Sequence, residues 1–214
     1  MSLPPIPDGP VTFVVTDIEA DGPSPLAHSM LSFASVAVTQ TGEVLSEFEA
    51  VLAPRADRGR DENTMEWWKT QPEAWAAATA NPEPPETVMP RYADWVESLP
   101  GFRAFAAAPL IFDGVWIDHY LETFAGTRVM GGPSRSRQIF RGGGVCIYTM
   151  AGALRGAPYL GWGMSRVPPE WYGYVEHTHK AIDDARGFAN VLKKLFEISQ
   201  GLDHVEATES MYKK

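Results

Sequence analysis

The stretch VTFVVTDIEADG, Val11 to Gly22, places a strand and a cluster of acids side by side. Val11 to Thr16 is apolar or β-branched throughout and reads as a buried strand. An acidic, glycine-containing turn follows it, carrying Asp17, Glu19 and Asp21. Downstream, SMLSFASVAVTQTGEVLSEFEAVLAP reads as a hairpin: Ser32 to Val38 alternates, Thr41-Gly42 turns, and Val44 to Leu52 returns. FRAFAAAPL is a second buried strand. FDGVWIDHYLETFAG follows it as a helix, with Val115, Ile117, Leu121 and Phe124 expected to face inward.

Between hairpin and second strand, PRADRGRDENT is a charged loop. TMEWWKTQPEAW reads as one short helix with Pro72 near its end, and PPETVMPRYADWVESL as a longer helix with Val88, Tyr92, Trp95 and Leu99 on one face. GGPSRSRQIFRGGG is a flexible basic loop, VCIYTMAGAL carries no clear period, and RGAPYLGWGMSRVPPEWYG is a long aromatic loop. KAIDDARGFANVLKKLFEIS closes the chain's folded part as an amphipathic helix. This order of elements predicts an α/β fold, a mixed sheet flanked by helices. The expected organisation is a flexible segment over 1–10, a single domain over 11–200 and a loose tail over 201–214.

Composition bounds the function. The 214 residues are 44% apolar and 21% charged, a globular balance. The net charge of −9 argues against a protein that coats long nucleic acid through its phosphates. It leaves room for an enzyme whose carboxylates are neutralised by metal ions. The single cysteine, Cys146, suits a reducing cytoplasm, and MSLPPIPDGP has no basic start or apolar core of a signal peptide. No long uncharged apolar run predicts a membrane span.

Three places could carry chemistry. Asp17 and Glu19 are two apart, so both side chains can face one side, and they repel unless something positive lies between them. Hard cations such as Mg²⁺ or Mn²⁺ suit such oxygen-rich sites. Taken alone, a D-x-E triplet reads as a polar strand exit with solvated acids. Asp113 lies where the second strand meets a helix, and it lands near Asp17 if the two strands are neighbours; a helix N-cap is the other reading. Asp118 points elsewhere on the helix and reads as surface. HTHKAIDDA, His177 to Ala185, offers Asp184 early on the last helix and His179 just before it. Alone it reads as a capped, solvated helix start, and a zinc site from His177, His179 and Cys146 is the weaker option. Together, four carboxylates and a histidine make a set able to hold two cations and hydrolyse a phosphodiester.

In this set the chain resembles the DnaQ-like, or DEDDh, 3′–5′ exonucleases, whose fold is related to ribonuclease H. D-x-E matches Asp17 and Glu19, Phe-Asp matches Phe112 and Asp113, and H-x-A-x-x-D-A matches His179, Ala181, Asp184 and Ala185 in full. Ala108 and Pro109 stand in the region where the family usually has Asn or His upstream of the second aspartate. The resemblance implies a ribonuclease H-like mixed five-stranded sheet flanked by helices. It implies two Mg²⁺ or Mn²⁺ ions on Asp17, Glu19, Asp113 and Asp184, and His179 as general base. The substrate would be the 3′ end of single-stranded RNA or DNA, cut to nucleoside 5′-monophosphates.

TMEWWKTQ is similar to a segment of the small stand-alone exoribonuclease branch, which implies that Trp68 and Gln71 hold the terminal nucleotide. The alternative is that these tryptophans are core residues. Phe112 and a backbone carbonyl near Glu19 or Ala20 are further expected substrate contacts. His177 and Asp183 are expected bystanders. Arg135, Arg137 and Arg141 could reach upstream phosphates, or belong to a solvated loop. Relatives in that branch are often homodimers. The competing functions are a DNA exonuclease of the same family, a small-nucleotide phosphohydrolase, and a binder that keeps the fold.

Overall fold

The computed structural model describes residues 9–131, 137–158, 163 and 167–201. The expectations for residues 1–8 and 202–214, for Arg135 and for much of the aromatic loop lie outside these. Strand β1 is Val11–Ala20, followed by β2 (Met30–Thr39) and β3 (Val44–Val51). Helices α1 (Glu62–Trp68), α2 (Pro72–Thr79) and α3 (Pro85–Ser98) lead to β4 (Phe102–Ala107) and α4 (Leu110–Ala125). Strand β5 (Val145–Cys146), α5 (Ile147–Leu154), a 3₁₀ turn (Pro169–Tyr172) and α6 (Ala181–Ser199) complete the described elements.

These strands form a five-stranded sheet ordered β3-β2-β1-β4-β5. β1 and β2 pair antiparallel, as do β2 and β3, whereas β1–β4 and β4–β5 are parallel. The sheet is therefore mixed and flanked by helices, as expected. β1 is central and its alternation feeds two cores. Val14 and Ile18 join Phe33, Tyr92, Phe105 and Trp116 on the side of α3 and α4. Phe13 and Val15 join Val36, Ala106, Phe188 and Val191 on the side of α6.

β1 runs four residues further than expected. Its ladder with β2 continues through Asp17↔Ala34 and Glu19↔Ser32, then shifts between Glu19 and Ala20. The acids thus sit on the strand, not in a turn after it. The ladder with β2 at these positions outweighs the acids' poor strand propensity, although β4 pairs with β1 only as far as Val15. Pro72 begins α2 rather than closing one helix; lacking an N–H, it is tolerated in a first turn and breaks a helix interior. Val115 is 43% exposed, and the inward residues of α4 are Trp116, Ile117, Tyr120 and Leu121. The segment VCIYTMAGAL, unassigned by period, supplies β5 and α5.

Candidate active site

The acids gather at one end of the sheet because of strand phase. Asp17 and Glu19 share the face of Phe13 and Val15, so their side chains turn toward α6. Asp184 lies in the first turn of α6, and Asp113 in the first turn of α4. The parallel pairing of β1 with β4 brings the start of α4 beside the acids of β1, and Pro109 rather than Asp113 occupies the N-cap position. All four carboxylates are buried.

One carboxylate oxygen from each of Asp17, Glu19 and Asp184 lies within 4.8 Å of the others. Burial raises the pKa of Asp17 well above the usual carboxylate range, with the charges of Asp113, Glu19 and Asp184 adding to it. Burial does the same for Glu19, reinforced by Asp184 and Asp113. Asp113 is pushed up to about 7 by burial, against backbone hydrogen bonds at Ile18, Asp113 and Ala108 that pull the other way. Asp113 Oδ2 and Asp184 Oδ2 are buried with no hydrogen-bond partner. Buried like charges with unfilled oxygens are costly alone and are relieved by a cation. The donor set is all oxygen, which suits Mg²⁺ or Mn²⁺.

Asp21 does not belong to this cluster. Its Oδ1 accepts the Ser29 amide at 2.6 Å and its Oδ2 lies 3.7 Å from Arg60. Cys146 joins no such group among the described residues, so the zinc reading loses its cysteine; His177 and His179 instead group with Asp184, one ligand atom of each lying within 4.8 Å of the others.

His179 sits just before α6 with a φ of 56°, an unusual conformation for a residue with a side chain. Burial lowers its pKa, the neighbouring His177 adds to this, and Asp184 opposes it. The ring is therefore neutral near pH 7, with a lone pair to accept a proton. The expectation that His177 is a bystander is corrected: its Nδ1 lies 2.9 Å from Asp184 Oδ1. The Thr178 amide donates to the same oxygen at 3.1 Å. Asp183 is half-buried and braces the loop, its Oδ2 accepting from Thr178 Oγ1 at 2.9 Å. The H-T-H run thus orients Asp184 as well as presenting His179.

Among the expected substrate contacts, Trp68 is corrected. It is only 2% exposed, and its indole N–H donates to the Ala20 carbonyl at 3.0 Å. It has no free face for a base, and it occupies the Ala20 carbonyl expected to meet a 2′-OH. Its neighbour Trp67 is 38% exposed and meets the His179 ring edge-on, centroids 4.9 Å apart. Adjacent helical residues point about 100° apart, so one tryptophan packs inward and the other faces the site. Gln71 stands at the N-cap of α2 with its side-chain amide donating to Thr70 Oγ1 at 3.3 Å. Phe112 is exposed beside Asp113.

Arg137 is tied to Glu97 and Asp94 of α3 at 2.7 and 2.6 Å, and Arg141 lies over Phe102 at the start of β4. That is the end of the sheet opposite the acids. Asp118 accepts the Val129 amide at 2.8 Å and pairs with Arg128, a loop brace rather than bare surface. Sequence reading missed Tyr148 on α5. Burial, then Tyr172, then the charges of Asp17 and Asp113 raise its pKa, which places its hydroxyl in the field of the acids.

Comparison with known proteins agrees with this geometry. The fold is similar to that of E. coli exonuclease I in complex with a dT13 oligonucleotide, at 13% identity and a TM-score of 0.61, covering 90% of this chain and 42% of that one. It is also similar to the nuclease domain of 3′hExo, a DEDDh family member bound to rAMP. There the identity is 10% and the TM-score 0.56, over 90% of this chain and 92% of that one. A full-length 3′-exonuclease matches at 13% identity and a TM-score of 0.59, covering 90% of this chain and 82% of that one. The chain spans about two-fifths of exonuclease I. No curated protein matches it. The model of one family matches residues 12–196, described as the 3′-5′ exoribonuclease Rv2179c-like domain, and the chain belongs to that family.

Proposed function

We propose that this 3′–5′ exonuclease domain removes nucleoside 5′-monophosphates from the 3′ end of single-stranded RNA. The observation that carries the reading is the buried cluster of Asp17, Glu19 and Asp184, three carboxylates with oxygens within 4.8 Å. Asp113 beside them has its pKa pushed to about 7, and a neutral histidine adjoins the cluster.

Asp17, Glu19, Asp113 and Asp184 would hold two divalent ions, Mg²⁺ or Mn²⁺. When bound, these supply Lewis-acid polarisation and neutralise charge that develops on the phosphoryl and leaving oxygens. The chain's own groups do the rest. His179 accepts the proton of the attacking water on its free ring nitrogen. His177 and the Thr178 amide hold Asp184 Oδ1, leaving the buried Oδ2 without a hydrogen-bond partner among the described residues. The exposed face of Trp67 stacks on the terminal base and sets it beside His179. The water oxygen bonds to phosphorus as the bond from phosphorus to the 3′ oxygen of the preceding nucleotide breaks; that oxygen takes up a proton from solvent, and the proton on His179 passes to solvent.

RNA is preferred as substrate because the matching family is described as exoribonuclease. The homodimer and the cytoplasmic setting belong to the same proposal, the latter supported by the free Cys146. No helix of the described residues is long and apolar enough to cross a membrane. The test uses matched 5′-labelled RNA and DNA single strands with Mg²⁺, Mn²⁺ or EDTA. The expected result is a ladder shortening from the 3′ end, faster on RNA and absent with EDTA. Faster shortening of DNA would reassign the sugar, and no shortening of either strand would overturn the reading.

A further inference from the structure

A second cluster of charge lies away from the acids, in the loop between β3 and α1. Arg55, Asp57 and Arg58 fall within four consecutive positions of it, with Arg60 beyond. Asp57 Oδ2 bridges the two guanidiniums, 3.1 Å from Arg55 Nη2 and 2.6 Å from Arg58 Nη1. The carboxylate is exposed, whereas the two arginine side chains are mostly buried. Arg58 Nε is buried with no hydrogen-bond partner among the described residues. The arrangement is a grip for an anion, presently filled from outside by a solvated carboxylate. Phosphate oxygens fit paired guanidiniums at least as well.

The cluster is joined to the active-site end of the molecule in two ways. The Asp61 amide donates to Asp21 O at 2.9 Å and the Gly59 amide to Ala27 O at 3.0 Å, so the loop is laced to the segment that follows Glu19. Arg55 Nη1 also lies 3.4 Å from His119 Nε2 on α4, and its guanidinium carbon is 5.3 Å from the Phe124 ring centroid. His119 shares a ridge of α4 with Phe112 and Val115, since steps of three and four residues stay on one side. Phe112 and Val115 are exposed apolar residues on that ridge, and it begins next to Asp113. From Phe112 to His119 the ridge is about 10 Å long at about 1.5 Å per residue, close to the span of three stacked nucleotides.

We propose that this ridge is the track for the strand upstream of the cleaved end, with Phe112 and Val115 under its bases and Arg55 and Arg58 gripping one of its phosphodiesters. The inference rests on the exonuclease reading and adds to it a preference for substrates long enough to reach the arginines. Burial lowers the pKa of His119, and the charges of Arg55 and Arg58 add to this against those of Glu122 and Asp118. His119 holds Arg55 and is a positioning residue here.

The test compares kcat/KM on a dinucleotide and on an octanucleotide of the same base and sugar, in Mn²⁺, at several salt concentrations. Arg58→Gln should lower the octanucleotide-to-dinucleotide ratio about tenfold and flatten its salt dependence by about 0.7 in log–log slope, the share of one single-strand phosphate contact. Asp57→Asn, which removes the competing carboxylate, should raise the same ratio. Arg91→Gln, on α3 and paired with Glu83, serves as control and should leave it unchanged. If Arg58→Gln melts at a lower temperature, Asp57→Asn alone decides, since that exposed, near-isosteric change spares the fold. Unchanged ratios in both variants would overturn the track while the exonuclease stands. Failure of the wild-type chain to shorten either substrate would overturn both.

Discussion

Asp113 links the site's chemistry to a stability measurement. Its carboxyl is buried and its pKa is pushed up to about 7, against an ordinary value of 3.8. A raised acid pKa favours the folded state at low pH and disfavours it once the folded form must ionise. The difference of about three pH units, at about 1.36 kcal/mol each, is about 4 kcal/mol in total. About half of it, roughly 2 kcal/mol, develops between about pH 5.5 and about pH 8. The metal-free domain should therefore lose stability over that range, with Asp17 and Glu19 acting in the same direction.

Other groups can be separated from this effect. The surface acids with lowered pKa values, such as Glu47 and Glu83, lose their contribution only at lower pH. His119 and His179, both lowered, favour the folded state as pH rises toward 6.5. They do so equally in wild type and in Asp113→Asn, so the comparison of the two isolates the acids. In EDTA, wild type should lose about 2 kcal/mol more than Asp113→Asn, or about 4–8 °C in Tm for a chain of this size. Saturating Mn²⁺ at about pH 8 should restore wild type, by about 2.7 kcal/mol at a hundred times Kd, and restore the variant less. Calorimetric melts at the two pH values measure this. If wild type and variant fall in parallel in EDTA, burial does not hold the Asp113 carboxyl above its ordinary range, and the argument for a cation at the cluster fails.

The two tryptophans should separate binding from stability. Trp67→Ala should raise KM on a single strand by the equivalent of about 1–3 kcal/mol of lost stacking, with Tm nearly unchanged. Trp68→Ala should lower stability by about 3–5 kcal/mol, as for other large buried aromatics, read by denaturant unfolding. His179→Gln should remove the acid limb from the pH–rate profile. In wild type that limb lies below the ordinary histidine value of 6.5, because burial lowers the His179 pKa; a limb above 6.5 would contradict the assigned base. Asp21→Ala should leave kcat unchanged and lower Tm, since its carboxylate accepts the Ser29 amide.

The candidate acidic set was readable in the sequence because it depends on local phase. Asp17 and Glu19 are two apart on a strand, and Asp184 follows Ala181 at a helical step, so each local pattern predicts a shared face. The order of strand, hairpin and helices was enough for the layer architecture. What escaped depended on tertiary packing. The extension of β1 through Glu19 is set by its ladder with β2, which no propensity reveals. Which of Trp67 and Trp68 is inward is set by the carbonyl of Ala20, 48 residues away in sequence. The role of His177 was hidden because its contact with Asp184 goes with a backbone turn, with positive φ at His179, that the residue types do not announce. PRADRGRDENT was readable as a charged loop, but the meeting of its Arg55 with His119 of α4 was not.

The most direct test of the metal centre is a single-strand exonuclease assay of Asp184→Asn beside Asp183→Asn, both checked for an unchanged melt, in Mn²⁺ and in EDTA. The two aspartates are adjacent, and only Asp184 joins the buried cluster. The account predicts that Asp184→Asn abolishes shortening from the 3′ end, while Asp183→Asn keeps Mn²⁺-dependent shortening with at most a modest loss. Activity retained in Asp184→Asn and lost in Asp183→Asn would contradict it.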